Sequence, residues 1–436
     1  MINSVMMKRD KFIIQGLGNK KSLSGKIRVN GAKNAVLPVM ASSVLFKDGF
    51  KIKNVPLIED LNRLDEIFKG LGVEMIKQLD GEYFINTTKI NSVEIEEEAS
   101  KRMRASIIFT GPILARFGEL IFPHPGGCVI GARPIDLFLE GFEKMGAKVK
   151  HNDGKYFIKT KDGKLKGTKI FFKIPSVTAT ETFIMAGILA EGKTILKNVA
   201  IEPEIISLIE WLNDCGAKIK GVGTPVLEIE GGSLLEANDK VYETIPDRLE
   251  AGSFLILGAL CASDLEISNC NPSHLEIVIE MLKDSGVDIE VGKDYLKVNN
   301  KNLKNYKSFS IKTHEYPGFP TDLQSPTVVF LTQSQGESLV FETIFEGRLN
   351  YTSDLVKMGA DIKMWDSHRA TIKGPKQLKG CELEGPDIRT GFAFVIAALV
   401  AEKESIITNV YYIDRGYGSI EKRLFKIGAD IKRVKE

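Results

Sequence analysis

Residues 202–219 read Glu202-Pro-Glu-Ile-Ile-Ser-Leu-Ile-Glu-Trp-Leu-Asn-Asp-Cys-Gly216-Ala-Lys-Ile219. Glu-Pro-Glu suits a first helical turn, where the N–H that proline lacks has no partner anyway, and the apolar residues that follow recur with helical period. Gly216 then ends the helix, and Ala-Lys-Ile restarts the chain as a strand. The same phrase returns at Gly72, Gly146, Gly286, Gly359 and Gly428, so the six glycines stand 74, 70, 70, 73 and 69 residues apart. The later copies read Gly286-Val-Asp-Ile, Gly359-Ala-Asp-Ile and Gly428-Ala-Asp-Ile. Spacing this regular marks an internal repeat.

Each repeat also carries a second helix that is apolar almost all round: Ala35 to Phe46, Ala105 to Ala115, Thr180 to Ala190, Gly252 to Ala262, Pro326 to Leu331 and Gly391 to Ala401. A helix without a polar face has to be buried on every side. The repeat is therefore read as a small sheet with one inner and one outer helix, and six copies make an α/β protein. They could close into a ring, form a solenoid, or make two globules of three, although periods near 70 exceed those of common solenoids. No Pro, Gly or Ser-rich linker marks a boundary, and the half-way point falls near Ile245-Pro246-Asp247.

Composition bounds the function. The 436 residues are 43% hydrophobic and 27% charged, a globular mixture, and 59 Lys and Arg against 57 Asp and Glu leave a net charge of +2. That is no basic footprint for nucleic acid, so an anion site has to come from a few cations gathered locally. Five widely spaced Cys (128, 215, 261, 270 and 381) with no C-x-x-C pair argue against a disulfide scaffold or a cysteine zinc site. The N-terminal residues lack the apolar core and cleavage site of a signal peptide, and the most apolar stretches fall short of the ~20 residues of a spanning helix. A cytoplasmic protein without a membrane span is expected.

Charged and polar residues cluster just before the inner helices: Lys33-Asn34, Arg102 and Arg104, Ser176-Val-Thr-Ala-Thr180, Asp247-Arg248, Thr321-Asp322, and Asp387-Ile-Arg389. Helix N-termini with a neighbouring cation attract anions. Asn34, Ser176, Asp247, Asp322 and Asp387 would serve equally well as plain N-caps. A second informative segment runs His124-Pro-Gly-Gly-Cys128-Val-Ile-Gly-Ala-Arg133-Pro-Ile-Asp-Leu137. Its glycines and prolines describe a loop that presents one thiol, with Arg133 near enough to stabilise a thiolate. The other four Cys read as packing residues. Arg348, in Phe345-Glu-Gly-Arg348, and Arg415, in Tyr412-Ile-Asp-Arg415-Gly-Tyr417, occupy matching points of two repeats. The five His show no metal-ligand spacing, and there is neither a Walker motif nor a G-x-G-x-x-G opening a helix. No cofactor and no metal are expected.

Asn30-Gly-Ala-Lys-Asn-Ala, Met103-Arg-Ala-Ser, Pro125-Gly-Gly-Cys-Val-Ile-Gly-Ala-Arg-Pro-Ile-Asp, Ser176-Val-x-Ala-Thr-Glu, Pro246-Asp-Arg, Phe319-Pro-Thr-Asp, Phe345-Glu-x-Arg and Ile413-Asp-Arg-Gly-Tyr follow one another in this order. With these eight motifs the chain resembles the UDP-N-acetylglucosamine 1-carboxyvinyltransferase family of enolpyruvyl transferases over nearly its whole length. The resemblance implies an inside-out α/β barrel of two similar domains, each of three repeats. Its expected limits are 34–245 for one domain, carrying the Cys128 loop, and 1–33 with 246–436 for the other.

The implied reaction moves the enolpyruvyl group of phosphoenolpyruvate to the 3-hydroxyl of UDP-N-acetylglucosamine and releases phosphate, the first committed step of peptidoglycan precursor synthesis. By resemblance, Asp322 takes the proton of the sugar hydroxyl, while Cys128 protonates C3 of phosphoenolpyruvate and can form a thioketal adduct with it. Lys33, Arg133 and Arg415 match ligands of phosphoenolpyruvate, with Arg348 and Arg389 beside them. Asn34, Arg104, the segment Arg133, Pro134, Ile135, Asp136 and Leu137, then Ser176, Val177 and Ile344 match contacts to the sugar nucleotide. Two departures stand out: Thr178 replaces the usual Gly after Ser-Val, and Ser325-Pro326 follows the Asp322 motif. A shikimate-pathway enolpyruvyl transferase shares the architecture, but the Pro-Gly-Gly-Cys loop and Phe-Pro-Thr-Asp argue against it. A non-catalytic UDP-sugar-binding paralogue should have lost Cys128, Asp322 or Lys33.

Overall fold

All six repeat glycines sit in left-handed backbone, with φ between 79° and 107°, a region open to Gly and strained for other residues. The structure, a computed structural model, describes residues 10–125, 130–131, 134–300 and 305–435. Each glycine follows an amphipathic helix: Glu59–Leu71, Asp136–Lys144, Pro203–Asp214, Glu276–Asp284, Thr352–Lys357 and Ile420–Lys426. A strand follows it in turn, the shortest being Lys218–Lys220 and Ile289–Val291.

One repeat shows the logic of all. Strand Lys169–Phe171 leads into the inner helix Val177–Ile188, which returns to strand Lys193–Lys197 lying parallel to the first. The outer helix Pro203–Asp214 comes next, then strands Lys218–Lys220 and Val226–Glu230, both joined antiparallel to complete the sheet. Among the described residues six such sheets form, five of four strands and one of three. The three-stranded one gains a single parallel bridge from Glu94 to Ile121.

The chain divides into two compact units, Gly31–Cys128 with Arg133–Ile245, and Met1–Asn30 with Val129–Ala132 and Pro246–Glu436. In the first, strand Val241–Glu243 pairs with Gly49–Lys53, so the last strand of the unit completes its first sheet. In the second, the sheet of Ala262–Ser268 is completed by strand Leu23–Arg28, from near the start of the chain, which lies parallel to it. Each unit buries its apolar helices beneath three sheets, with its own core. Helices therefore lie inside and sheets outside, the inside-out α/β arrangement. In the second unit Arg248–Cys261, Gln324–Thr332 and Ile388–Val400 pack pairwise, with Phe392 stacked on Tyr417 at 4.3 Å between ring centres. In the first, Thr110–Phe117 lies on Val177–Ile188, and Phe183 meets Phe138, Phe142 and Phe172.

The inner helices begin earlier than their apolar runs suggest: at Lys33, Val177, Arg248, Gln324 and Ile388. Polar residues thus occupy the first turns. In the second repeat, residues 104–109 form a tighter 3-10 helix before the α-helix starts at Thr110. Pro112 fits the change, since a proline ring clashes with the carbonyl four residues back and is best housed in a first turn. Pro326 acts alike: Thr321–Leu323 is a 3-10 turn and the α-helix starts at Gln324. This sets Asp322 in a tight turn rather than in the helix.

Candidate functional site

Of the five expected caps, three are caps. Ser176 Oγ accepts from the Ala179 N–H at 3.4 Å, Asp247 Oδ1 from Leu249 and Glu250 at 2.8 and 3.0 Å, and Asp387 Oδ1 from Arg389 and Thr390 at 2.9 and 3.1 Å. Asn34 and Asp322 cap nothing: Asn34 is the second residue of its helix, whose cap position is Ala32, and the turn of Asp322 has Pro320 there. Helix capping therefore accounts for neither residue.

In the first unit, Lys33 opens an inner helix directly after Gly31-Ala32. A Cβ on Gly31 would stand 1.9 Å from the Asn54 carbonyl oxygen, so only glycine lets the chain pass so close before the lysine. Lys33 Nζ lies 2.8 Å from Asp60 Oδ2, and Asp60, second residue of Glu59–Leu71, is only 1% exposed. Nothing in the local sequence marked Asp60, because its role rests on a contact between two helices. Arg104 starts the 3-10 turn 104–109 and is half-buried. Pro134 and Asp136 are exposed, Leu137 is half-buried, and Ile135 lies in the core at 4% exposure. Val177 is the first residue of its helix, and Thr178 follows in the same turn without left-handed backbone, so the threonine is housed without strain.

In the second unit, three expected residues meet directly. Arg348 Nη2 donates to Asp322 Oδ1 at 2.7 Å and to the Thr321 carbonyl at 3.3 Å, and Arg389 Nε donates to Asp322 Oδ2 at 3.2 Å. Both arginine side chains are buried, at 2% and 5% exposure, whereas the Asp322 side chain keeps 28%. Burial works against the charge of Arg348, yet the carboxylates of Asp322, Asp387 and Glu342 outweigh it and its pKa is raised. Arg389 is also raised, its burial opposed by Tyr417, Asp322 and Asp247. Its guanidinium lies 5.5 Å from the Tyr417 ring centre, and the Tyr417 hydroxyl hydrogen-bonds Ser253 at 2.9 Å. Two charge-assisted bonds fix the carboxylate of Asp322 while leaving part of it open. Arg348 and Arg389, the two cations expected beside the phosphoenolpyruvate ligands, thus both bond the Asp322 carboxylate.

The Ile344 backbone N–H donates to Glu342 Oε1 at 2.9 Å. Arg415 ends the short helix Val410–Asp414 and is half-buried, two residues before Tyr417. Cys128 and Arg133 lie outside the described residues. Of the other thiols, Cys215, Cys261 and Cys270 are pushed up to about 12 by burial and Cys381 is raised by the same cause, as expected of packing residues. Among the described residues no group of His, Cys, Asp and Glu could hold a metal, and no helix is long and apolar enough to cross a membrane.

The profile of the family described as EPSP synthase (3-phosphoshikimate 1-carboxyvinyltransferase) matches residues 17–424. A UDP-N-acetylglucosamine 1-carboxyvinyltransferase from Thermodesulfovibrio yellowstonii is 41% identical over 426 residues, covering 98% of this chain and 100% of that protein. Proteins of the same name from Campylobacter hominis and Halothermothrix orenii are each 43% identical, with 95% and 98% of this chain and 97% and 100% of theirs covered. Among solved structures, the enolpyruvyl transferase NikO from Streptomyces tendae superposes with a TM-score of 0.86 at 21% identity, covering 99% of this chain and all of that one. EPSP synthase from Acinetobacter baumannii gives 0.74 at 17% identity over 98% of this chain and 100% of its own, which supports the shared fold. The inside-out helices, the full-length relatives and the family profile agree: the chain belongs to the EPSP synthase family of enolpyruvyl transferases and, within it, to the UDP-N-acetylglucosamine 1-carboxyvinyltransferases.

Proposed function

We propose that this protein transfers the enolpyruvyl group of phosphoenolpyruvate to the 3-hydroxyl of UDP-N-acetylglucosamine and releases inorganic phosphate. The observation that carries the reading is the carboxylate of Asp322, held by Arg348 and Arg389 and still partly open, in a chain with full-length relatives of that name. A sugar hydroxyl is a weak nucleophile, and a positioned carboxylate that accepts its proton supplies the needed general base. Asp322 takes that proton as the oxygen bonds to C2 of phosphoenolpyruvate, while C3 gains a proton from Cys128. The resulting tetrahedral adduct then loses phosphate from C2, which leaves with the proton held by Asp322, and a proton from C3 to the Cys128 thiolate, restoring the double bond in the product and both side chains to their starting states.

Lys33, Arg133 and Arg415 bind the phosphate and carboxylate of phosphoenolpyruvate. Arg348 and Arg389 act on the same step by orienting Asp322. Asn34, Arg104, residues 133–137, Ser176, Val177 and Ile344 contact the sugar nucleotide, with Ser176 and Val177 offering backbone N–H groups at a helix start. The enzyme needs neither metal nor cofactor and supplies peptidoglycan synthesis in the cytoplasm, and through it cell-wall growth, cell shape and division.

Phosphate release is the deciding assay. It is expected only with phosphoenolpyruvate and UDP-N-acetylglucosamine together, and Asp322→Ala is expected to abolish it. Release with 3-phosphoshikimate in place of the sugar nucleotide would favour the shikimate-pathway activity. Sugar-nucleotide binding with no release at any concentration would leave only a binding protein.

A further inference from the structure

We infer that Glu342 is a positioning residue for this reaction: its buried carboxylate ties the turn that carries Asp322 to the loop that carries Ile344 and Arg348. The inference rests on the reading of Asp322 as the base.

Glu342 directly follows strand Gly336–Phe341 and is fully buried at 0% exposure. A carboxylate so placed is costly unless its acceptor sites are filled. Here they are. Oε1 accepts from Thr313 Oγ1 at 3.0 Å, the Ile344 N–H at 2.9 Å and the Phe345 N–H at 3.2 Å, while Oε2 accepts from Thr321 Oγ1 at 2.9 Å. Its backbone is held too, with its N–H donating to the His368 carbonyl at 2.8 Å and its carbonyl 2.7 Å from His368 Nδ1. Thr313 is in turn locked to Thr343 by two hydrogen bonds of 2.8 and 2.6 Å.

The bonds close a ring through the site. Glu342 holds Thr321; Thr321 precedes Asp322; Asp322 is bonded to Arg348; and Arg348 follows the loop whose N–H groups return to Glu342. Arg348 closes the ring a second time through the Thr321 carbonyl. An apolar residue at position 342 would fill the space but would leave the Thr321 turn and residues 343–347 linked only through Arg348. A displacement of about 1 Å at a reacting group can cost on the order of 100-fold in rate.

The side-chain chemistry gives a test that separates geometry from bulk stability. Glu342→Gln keeps an oxygen for the three Oε1 donors, and its NH2 can donate to the Thr321 hydroxyl, which can also accept. Glu342→Ala removes every link, and Thr321→Val removes only the one toward Asp322. In the phosphate-release assay at saturating substrates, kcat is expected to fall about 100-fold in Glu342→Ala and roughly tenfold in Thr321→Val. Glu342→Gln is expected to stay within about threefold of the parent, with KM for both substrates changed by no more than about threefold throughout. The double variant Glu342→Ala with Thr321→Val should be no slower than Glu342→Ala alone, because both cut one link.

Unfolding midpoints, measured on each variant, correct kcat for folded protein. Wild-type kcat in Thr321→Val, full additivity in the double variant, or a Glu342→Ala loss accounted for by unfolding would each overturn the inference. If Glu342→Ala does not fold, Thr321→Val decides alone. Retained activity in Asp322→Ala would instead remove the base assignment, whatever position 342 does.

Discussion

Lys33 Nζ and Asp60 Oδ2 form an ion pair of 2.8 Å in which the carboxylate is almost wholly buried. The pair ties the first residue of an inner helix to the first turn of the following outer helix, so the proposed phosphate-binding cation is not a freely rotating side chain. Removing one partner of a buried pair leaves the other uncompensated, which costs about 3–5 kcal/mol when the site is fully closed. Lys33 retains 12% side-chain exposure, which reduces the cost. Asp60→Asn is therefore expected to lower the unfolding free energy by about 2 kcal/mol in urea titrations. It should also reduce kcat/KM for phosphoenolpyruvate by about tenfold or more, with sugar-nucleotide affinity kept. Unchanged phosphoenolpyruvate kinetics would mean that Lys33 is placed by other contacts.

Arg389 meets Asp322 through Nε while its planar group lies against Tyr417. Lysine keeps the charge but offers neither the planar fork nor the stacking surface. Arg389→Lys is expected to reduce kcat by about 10- to 100-fold, a part of the roughly 10²- to 10⁴-fold that a general base supplies. Pre-steady-state phosphate release is the appropriate measurement, since it isolates the chemical step from product release. A variant with the parental burst rate would show that Arg348 alone orients the carboxylate.

The architecture was legible in sequence because six left-handed glycines punctuate it at nearly equal spacing. Gly216 and Gly286 illustrate why: a Cβ there meets nothing within 4 Å, so backbone conformation rather than crowding demands glycine. Inner helices were visible as apolar runs, but their starts were not. Lys33, Arg248 and Arg389 lie inside first turns and interrupt the apolar pattern. Candidate residues carried by motifs could be found along the chain, whereas Asp60 and Glu342 could not. Each acts through a partner distant in sequence, 27 residues from Lys33 and 21 from Thr321. The proline in Ser325-Pro326, a departure from the expected pattern, proves informative in hindsight, because it keeps Asp322 out of the helix.

Thiol reactivity should discriminate among the cysteines. Burial pushes Cys215, Cys261 and Cys270 up to about 12, so at pH 8 their thiolate fraction is on the order of 10⁻⁴. In native protein iodoacetamide or an epoxide phosphonate is expected to label Cys128 and leave these three intact, and unfolding in urea should expose them. Peptide mass spectrometry reads the outcome directly. Cys128→Ser that takes up label as the parent does, or native labelling at Cys261, would contradict this assignment of the reactive thiol.

Glu181 offers a pH-dependent prediction. It lies in the inner helix Val177–Ile188, 3% exposed, and its pKa is raised well above the usual carboxylate range, first by burial and then by the charges of Glu204 and Glu202. A carboxyl that folds in its protonated form contributes fully below the unfolded glutamate pKa, about 4.3, and that contribution is lost as pH rises through the folded value. Between those limits the folded protein holds a proton that the unfolded chain has released, so the parent is destabilised increasingly with pH. Glu181→Gln has the shape of the protonated acid without the titration. Its thermal midpoint is expected to exceed the parental one at pH 8, with the difference shrinking toward pH 5. A difference that does not vary between pH 5 and pH 8 would show that Glu181 does not exchange its proton on folding.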